Sequence, residues 1–417
     1  MPWCGANRKA RSATRATFSM RNLLRPLLPL VLVALLAPSL QAQGARNIGE
    51  VRVDVNNAAI AVRITGATPE LQGLAQAAFN THGRYRVVPS GHAFELRFSP
   101  AGANQVKVDI ARASGAAVHS QVVAGSSTRQ ALLKAADVAV EKTNGLGLRG
   151  FFTARLAFVS RRSGRSELYT SDLFLGEAKQ LTRDGAHVLT PRWAPDGGRV
   201  VYTSYFRSNA PDVFASNVTT GARETLISFR GTNSGARFSP DGRQLALIMT
   251  GEGAPDLYIT NSQGRAPSRK TRSDAVKSSP CWSPDGSQIV FAMEPGPQLY
   301  VMSAAGGAPR RLSIGVSTYA AEPDWSRTDR NKIACTVRVG RQYQIAVYDL
   351  AAGAGKVVSK ASFDGVEPSW LADGRHLVYT ARDRTSSYLC ILDTETGNST
   401  RLGGVDSQAM QASVWTP

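Results

Sequence analysis

The chain has 417 residues, of which 42% are apolar and 19% charged, with Gly 38 and Pro 21. That excludes a mostly disordered, collagen-like or low-complexity protein, and at ~100–200 residues per domain it fits two or three domains. Lysine and arginine exceed the acidic residues by 18, which taken alone points to nucleic acid or another anionic partner.

Residues 1–42 change that reading. They hold six basic residues (Arg8, Lys9, Arg11, Arg15, Arg21, Arg25) and no acidic one, followed by the apolar run Leu27–Ala37 and then Pro38–Ala42. A basic stretch, a short apolar stretch and a small residue make a secretory leader, with cleavage expected after Ala42 and translation expected to begin at Met20. Eleven apolar residues are too few to span ~30 Å of hydrocarbon, so no direct membrane span is expected. An exported chain argues against nucleic acid and directs the positive charge toward anionic surfaces or acidic proteins. Beyond the leader the cysteines are Cys281, Cys335 and Cys390. An odd number at wide spacing is no disulfide framework, and each is expected as a small buried side chain.

Residues 43–150 read as a small α/β domain. Glu50–Val55, Phe94–Phe98 and Val106–Ile110 alternate as strands do, while Pro69–Phe79 and Thr128–Lys142 carry apolar residues at helical spacing. Gly145, Gly147 and Gly150 then match G-x-G-x-x-G. Dinucleotide binding needs a strand before that motif and a helix after it; here the order is reversed, so a linker is the better reading.

A repeat fills residues 151–417. The phrase Pro191-x-Trp193 followed by Pro195, Asp196 and Gly197 returns around Phe238, Trp282, Trp325, Trp370 and Trp415, at spacings of 45, 44, 43, 45 and 45 residues. Each unit reads as four short strands, with Pro-Asp-Gly turning the first into the second. This period and strand count predict a β-propeller. Leu156–Val159 and Glu167–Tyr169 read as second and third strands without a first, and the chain ends after a first strand at Val414–Trp415. Those pieces complement each other, so six blades are expected, the last closed by the C-terminal strand. The predicted fold is an α/β N-terminal domain plus an all-β six-bladed propeller.

No nucleophile elbow, P-loop or H-E-x-x-H occurs, and only His187 and His376 fall in the propeller. No catalytic residue, metal or cofactor is therefore expected. The alternatives are a propeller enzyme, or a glycan- or peptidoglycan-binding propeller using aromatics such as Tyr319.

The repeats, preceded by Arg149–Ser160 and by the helix Ala135–Thr143, resemble the TolB family of periplasmic propellers of the Tol–Pal envelope system. Glu50–Val53 is similar to the start of mature TolB proteins. Blade four departs from the pattern, reading Ser326–Asn331 where Ser-Pro-Asp-Gly is usual. The resemblance implies a periplasmic protein-binding scaffold that is not an enzyme and serves envelope integrity and cell division. It further implies that one propeller mouth docks a Pal-like outer-membrane lipoprotein, and that the N-terminal segment (Glu50, Val51, Arg52, Val53) reaches a TolA-like inner-membrane protein. In a propeller, the loops entering the first strands gather at one mouth. Here they carry His187, Thr232, Asn233, Lys277, Ser278, Tyr319, Glu322, Asp364 and Glu367, with Thr232 and Ser278 matching the family's docking loops most closely. Charge at this mouth is expected to be mixed, with Lys277 on one rim and Glu322, Asp364 and Glu367 on the other.

Overall fold

The computed structural model describes residues 59–417 except 208–209, 252 and 404–407. The leader, the expected start at Met20, the stretch Glu50–Val55 and the contact segment Glu50–Val53 lie outside the described residues.

A five-stranded sheet comes first, built from β1 (Ile60–Gly66), β2 (Tyr85–Val87), β3 (Phe94–Gly102), β4 (Gln105–Arg112) and β5 (Ala117–Ala124), in the order β2-β1-β3-β4-β5. Two helices cover it, α1 (Pro69–Thr81) and α2 (Thr128–Thr143). Both start on a hydroxyl cap, Thr68 for α1 and Ser127 for α2, each accepting a backbone N–H of the first turn. Strands β1, β2 and β5 were not expected from the sequence; β5 is mostly exposed and therefore lacks an alternating apolar face.

Six four-stranded antiparallel sheets follow. Counted from the first complete phrase, blades 1 to 5 have their innermost strands at Val188–Trp193, Asn233–Phe238, Lys277–Trp282, Ala320–Trp325 and Asp364–Trp370. Blade 6 joins Ala409–Trp415, as its innermost strand, to Arg155–Ser160, Glu167–Asp172 and Lys179–Gln180. The second strands are buried along almost their whole length on both faces, as in Arg199–Ser204 and Gln244–Met249. That explains their unbroken apolar runs: one face packs on the preceding blade and the other on the following one. The apolar core is accordingly divided into six clusters, one between each adjacent pair of blades. The cluster between blades 5 and 6 runs on into α1, α2 and the N-terminal sheet.

The aromatic of the repeat ties blades together. The indole N–H groups of Trp193, Trp282 and Trp370 donate to the carbonyls of Ser413, Arg237 and Asp324 on the preceding blades, at 3.1, 3.1 and 3.0 Å. In blade 4 the irregular turn forms by other means: the Ser326 hydroxyl accepts from the Asp329 N–H, and Trp325 donates to Arg330 within the same blade. Gly197, at φ +67°, lies flat against the Trp415 ring, where a side chain would collide.

Each innermost strand also carries a bulge at its third residue, or at its fourth in Asp364–Trp370. Thr190, Gly235, Ser279, Glu322, Glu367 and Gln411 all have positive φ, and the ladder shifts register beside each of them.

The N-terminal domain packs at the end of the propeller where first strands turn into second strands. His82, just past α1, lies 4.6 Å from His376 ring to ring, and Gly83 presses on Asp393. Ser127 and Arg129 at the start of α2 bind Glu177 and Asp172 in blade 6. Asp137 accepts the backbone N–H groups of Phe152 and Thr153, fixing the linker against α2. His82 is wholly buried and its pKa lies well below the usual histidine value, because burial and then the His376 charge disfavour a second cation. Burial opposes ionisation of Asp373, but the charge and hydrogen bond of His376 outweigh it and hold the carboxyl at about 2.

Three expectations follow. Deleting residues 409–417 should abolish the cooperative melting transition, since it opens a sheet edge and exposes two inter-blade clusters. Trp370→Ala should cost ~3–5 kcal/mol in chemical denaturation, from lost volume and a lost inter-blade hydrogen bond. Stability should decline on acidification in two steps. A buried neutral histidine loses its contribution as pH falls below about 6.5, and a depressed carboxyl loses its own below about 4. Melting temperatures from pH 8 to 3 test this, and His82→Gln should flatten only the upper step.

Candidate protein-docking mouth

The innermost strands all begin at the mouth opposite the N-terminal domain. The loops entering them, and the hairpin loops between second and third strands, form its rim. Of the large apolar side chains exposed among the described residues, Tyr205, Phe206, Phe229, Val276, Val316, Val339 and Phe363 all lie on these loops. Scattered exposed apolar residues are ordinary, but seven sharing one face make that face the candidate interaction surface. Composition and repeat spacing gave no hint of them; the signal available was their position beside the strand-entry turns.

Between those residues the rim is basic. Arg162, Arg207, Arg230, Arg272, Arg341 and Arg384 are exposed there. The nearby carboxylates Asp184, Asp364 and Asp383 are half-buried, with Asp184 taken up by Arg223, while Asp274 and Glu294 are exposed. Arginines outnumber the carboxylates at this mouth and the charge there is mixed, but of the groups expected to carry it only Asp364 stands at the rim.

The structure separates the residues expected at the mouth. His187 and Ser278 are exposed, and Thr232, Tyr319 and Asp364 are half-buried at the rim. Thr232 and Ser278 line one cavity of about 280 Å³ between blades 1, 2 and 3. Tyr319 packs on Tyr343 at 5.1 Å, and burial pushes its hydroxyl up to about 12.

Asn233 and Lys277 are corrections, since neither side chain reaches the surface. Each is the first residue of an innermost strand and clamps the preceding blade. The Asn233 amide donates to the Phe229 carbonyl at 2.7 Å and to Asp212 at 3.4 Å. The Lys277 ammonium is buried against Asp256 at 2.6 Å. Burial works against ionisation of Asp256, but hydrogen bonds from Lys277, Thr271 and Arg269 prevail and hold its pKa below the usual carboxylate value.

Glu322 and Glu367 are a further correction. They occupy the bulge positions inside the channel and not the rim. Thr336 and the Glu367 N–H donate to Glu322, while Thr380 and Gln411 donate to Glu367 at 2.8 and 2.9 Å. Burial, and then the Glu367 charge, raise the Glu322 pKa. These bonds join blades 4, 5 and 6 around the channel.

Among the described residues, one group has metal-ligand types close together: His82, Asp373 and His376, within 4.8 Å of one another. Asp373 is engaged by the His376 ring and the His376 and Arg375 backbone, and the Arg84 N–H donates to His82. The group lies at the contact between the N-terminal domain and blade 5, where the Nε2 atoms of His82 and His376 are buried without a hydrogen-bond partner among the described residues.

Comparison with known proteins places the fold. A family model described as the TolB β-propeller domain matches residues 143–417. The Tol-Pal system proteins TolB of Bordetella pertussis and Bordetella parapertussis are each 31% identical over 192 residues, covering 44% of this chain. That alignment spans 43% of each Bordetella protein, less than half its length. The crystal structure of TolB from Acinetobacter baumannii superposes with a TM-score of 0.77 at 22% identity, over 86% of this chain and 96% of that one. With its six four-stranded blades and a family match across all of them, the chain belongs to the TolB β-propeller domain family.

Proposed function

We propose that the chain is a non-catalytic docking scaffold of a Tol–Pal-type system in the periplasm. The mouth holds a Pal-like outer-membrane lipoprotein, and the segment preceding β1, including Glu50–Val53, reaches a TolA-like inner-membrane protein. The observation that carries this reading is the mouth itself: an apolar set including Phe206, Phe229 and Phe363, ringed by arginines. Apolar and arginine side chains dominate the energy of protein interfaces, and a basic rim steers an acidic partner into register. The N-terminal domain sits at the opposite end of the propeller, so two partners would approach from opposite sides without competing. The described residues contain no helix long and apolar enough to cross a membrane.

The exposed aromatics provide the test, because changing them leaves the inter-blade cores intact. Phe229→Glu combined with Phe363→Glu should keep the wild-type melting curve and weaken binding to the soluble domain of the lipoprotein at least about tenfold by calorimetry, the usual scale for interface anchors. Wild-type affinity should also fall as sodium chloride is raised. Unchanged affinity in the double variant would move the interface off this mouth.

A further inference from the structure

One ring of the channel breaks its own rule. The residue two positions after each bulge lines the channel: Arg192, Arg237, Cys281, Asp324, Ser369 and Ser413. In blades 3 to 6 this side chain accepts a backbone N–H from the next blade. Cys281 accepts from Trp325, Asp324 from Trp370, Ser369 from Val414 and Ser413 from Trp193. A guanidinium has no acceptor. Arg192 and Arg237 therefore forgo this inter-blade bond, and their charge serves something else.

Arg237 is largely spoken for, donating to Asp324 at 2.5 Å and to Cys281 at 2.9 Å. Arg192 is not. It donates to the carbonyl of its own neighbour Pro191 at 2.8 Å, and no carboxylate pairs with it among the described residues. Burial, with Arg237 adding to it, lowers its pKa to about 10, so it is still a cation at neutral pH. Both arginines line the 280 Å³ cavity that opens at Thr232 and Ser278, and both also line a second cavity of about 140 Å³ among Trp193, Trp282, Trp325 and Trp370. Glu322 and Glu367 line neither cavity and are held by the hydrogen bonds described above.

We propose that Arg192, backed by Arg237, binds one carboxylate group that enters the channel from the mouth. The ring holds two cations and one carboxylate, Asp324, and the Glu367 charge also acts on Arg192, so a monoanion meets less repulsion there than a dianion. The planar guanidinium fork also matches a carboxylate's two oxygens. The carboxylate arrives either as a free small acid or as an acidic side chain of a docked segment. Only the second source rests on the docking reading.

Thermal melting of the full chain separates these cases. Sodium acetate should raise the melting temperature saturably above sodium chloride at matched ionic strength, as selective binding to the folded state does. Arg192→Gln should abolish the acetate-specific rise, while Arg192→Lys, which keeps charge without the fork, should retain part of it. Acetyl-Gly-Asp-Gly-amide acting at lower concentration than acetate, with its asparagine counterpart inert, would identify an inserted side chain; acetate acting alone would identify a free acid. The proposal is overturned if neither probe acts on the wild type, or if folded Arg192→Gln responds as the wild type does. An acetate response that persists in the Phe229→Glu, Phe363→Glu variant after lipoprotein binding is lost would support this site and keep it separate from the docking surface.

Discussion

Everything in the propeller depends on each blade being unable to bury itself alone. A four-stranded sheet with both faces apolar is stable only when it is covered twice, and here each cover is another blade. The six inter-blade clusters are thus mutual debts around a circle, and the directional bonds lie at the same joints. Indole N–H groups reach back to the carbonyl of the previous blade, and short acceptors such as Ser413 and Asp324 take the backbone N–H of the next. Apolar area supplies most of the stability, while these bonds fix the angle at which one blade follows another.

The repeat was legible because its parts are local. An aromatic, a proline and an Asp-Gly turn within seven residues specify a strand end and a reversal, and their spacing gives the blade count. Blade 4 shows that the turn chemistry is replaceable, since the Ser326 hydroxyl and the Asp329 carboxyl rebuild it in Ser326–Asn331. The N-terminal sheet was only half legible. Strand β2 is three residues long, and β5 exposes most of its length, so neither shows a periodic apolar face.

The mouth proposed for docking was legible in location and not in composition. Strand order alone places the entry loops together, so Thr232 and Ser278 came out adjacent. Whether a polar side chain there points to water depends on partners distant in sequence. Lys277 lies in a polar run and reads as exposed, yet Asp256 of the neighbouring blade captures it. Asn233 is drawn in by Asp212 and the Phe229 carbonyl in the same way. The reverse holds for Phe229 and Phe363, which the sequence reading did not single out and which stand in solvent. One physical reason covers both misses: burial at a blade end is set by the adjoining blade, which local pattern does not contain.

The pairing of Ala409–Trp415 with Arg155–Ser160 joins segments some 250 residues apart by number, and the Trp193 bond to Ser413 spans 220 positions. Entropy charges little for that distance, because loop closure grows only with the logarithm of length. Time charges more, since contacts this remote form late. Without that pairing the edge of Arg155–Ser160 would stand bare, in a register matched to one strand pattern. The strand that closes the ring is also the one element whose partner edge an identical strand from a second copy would fit, so this joint is where strand exchange between chains would occur.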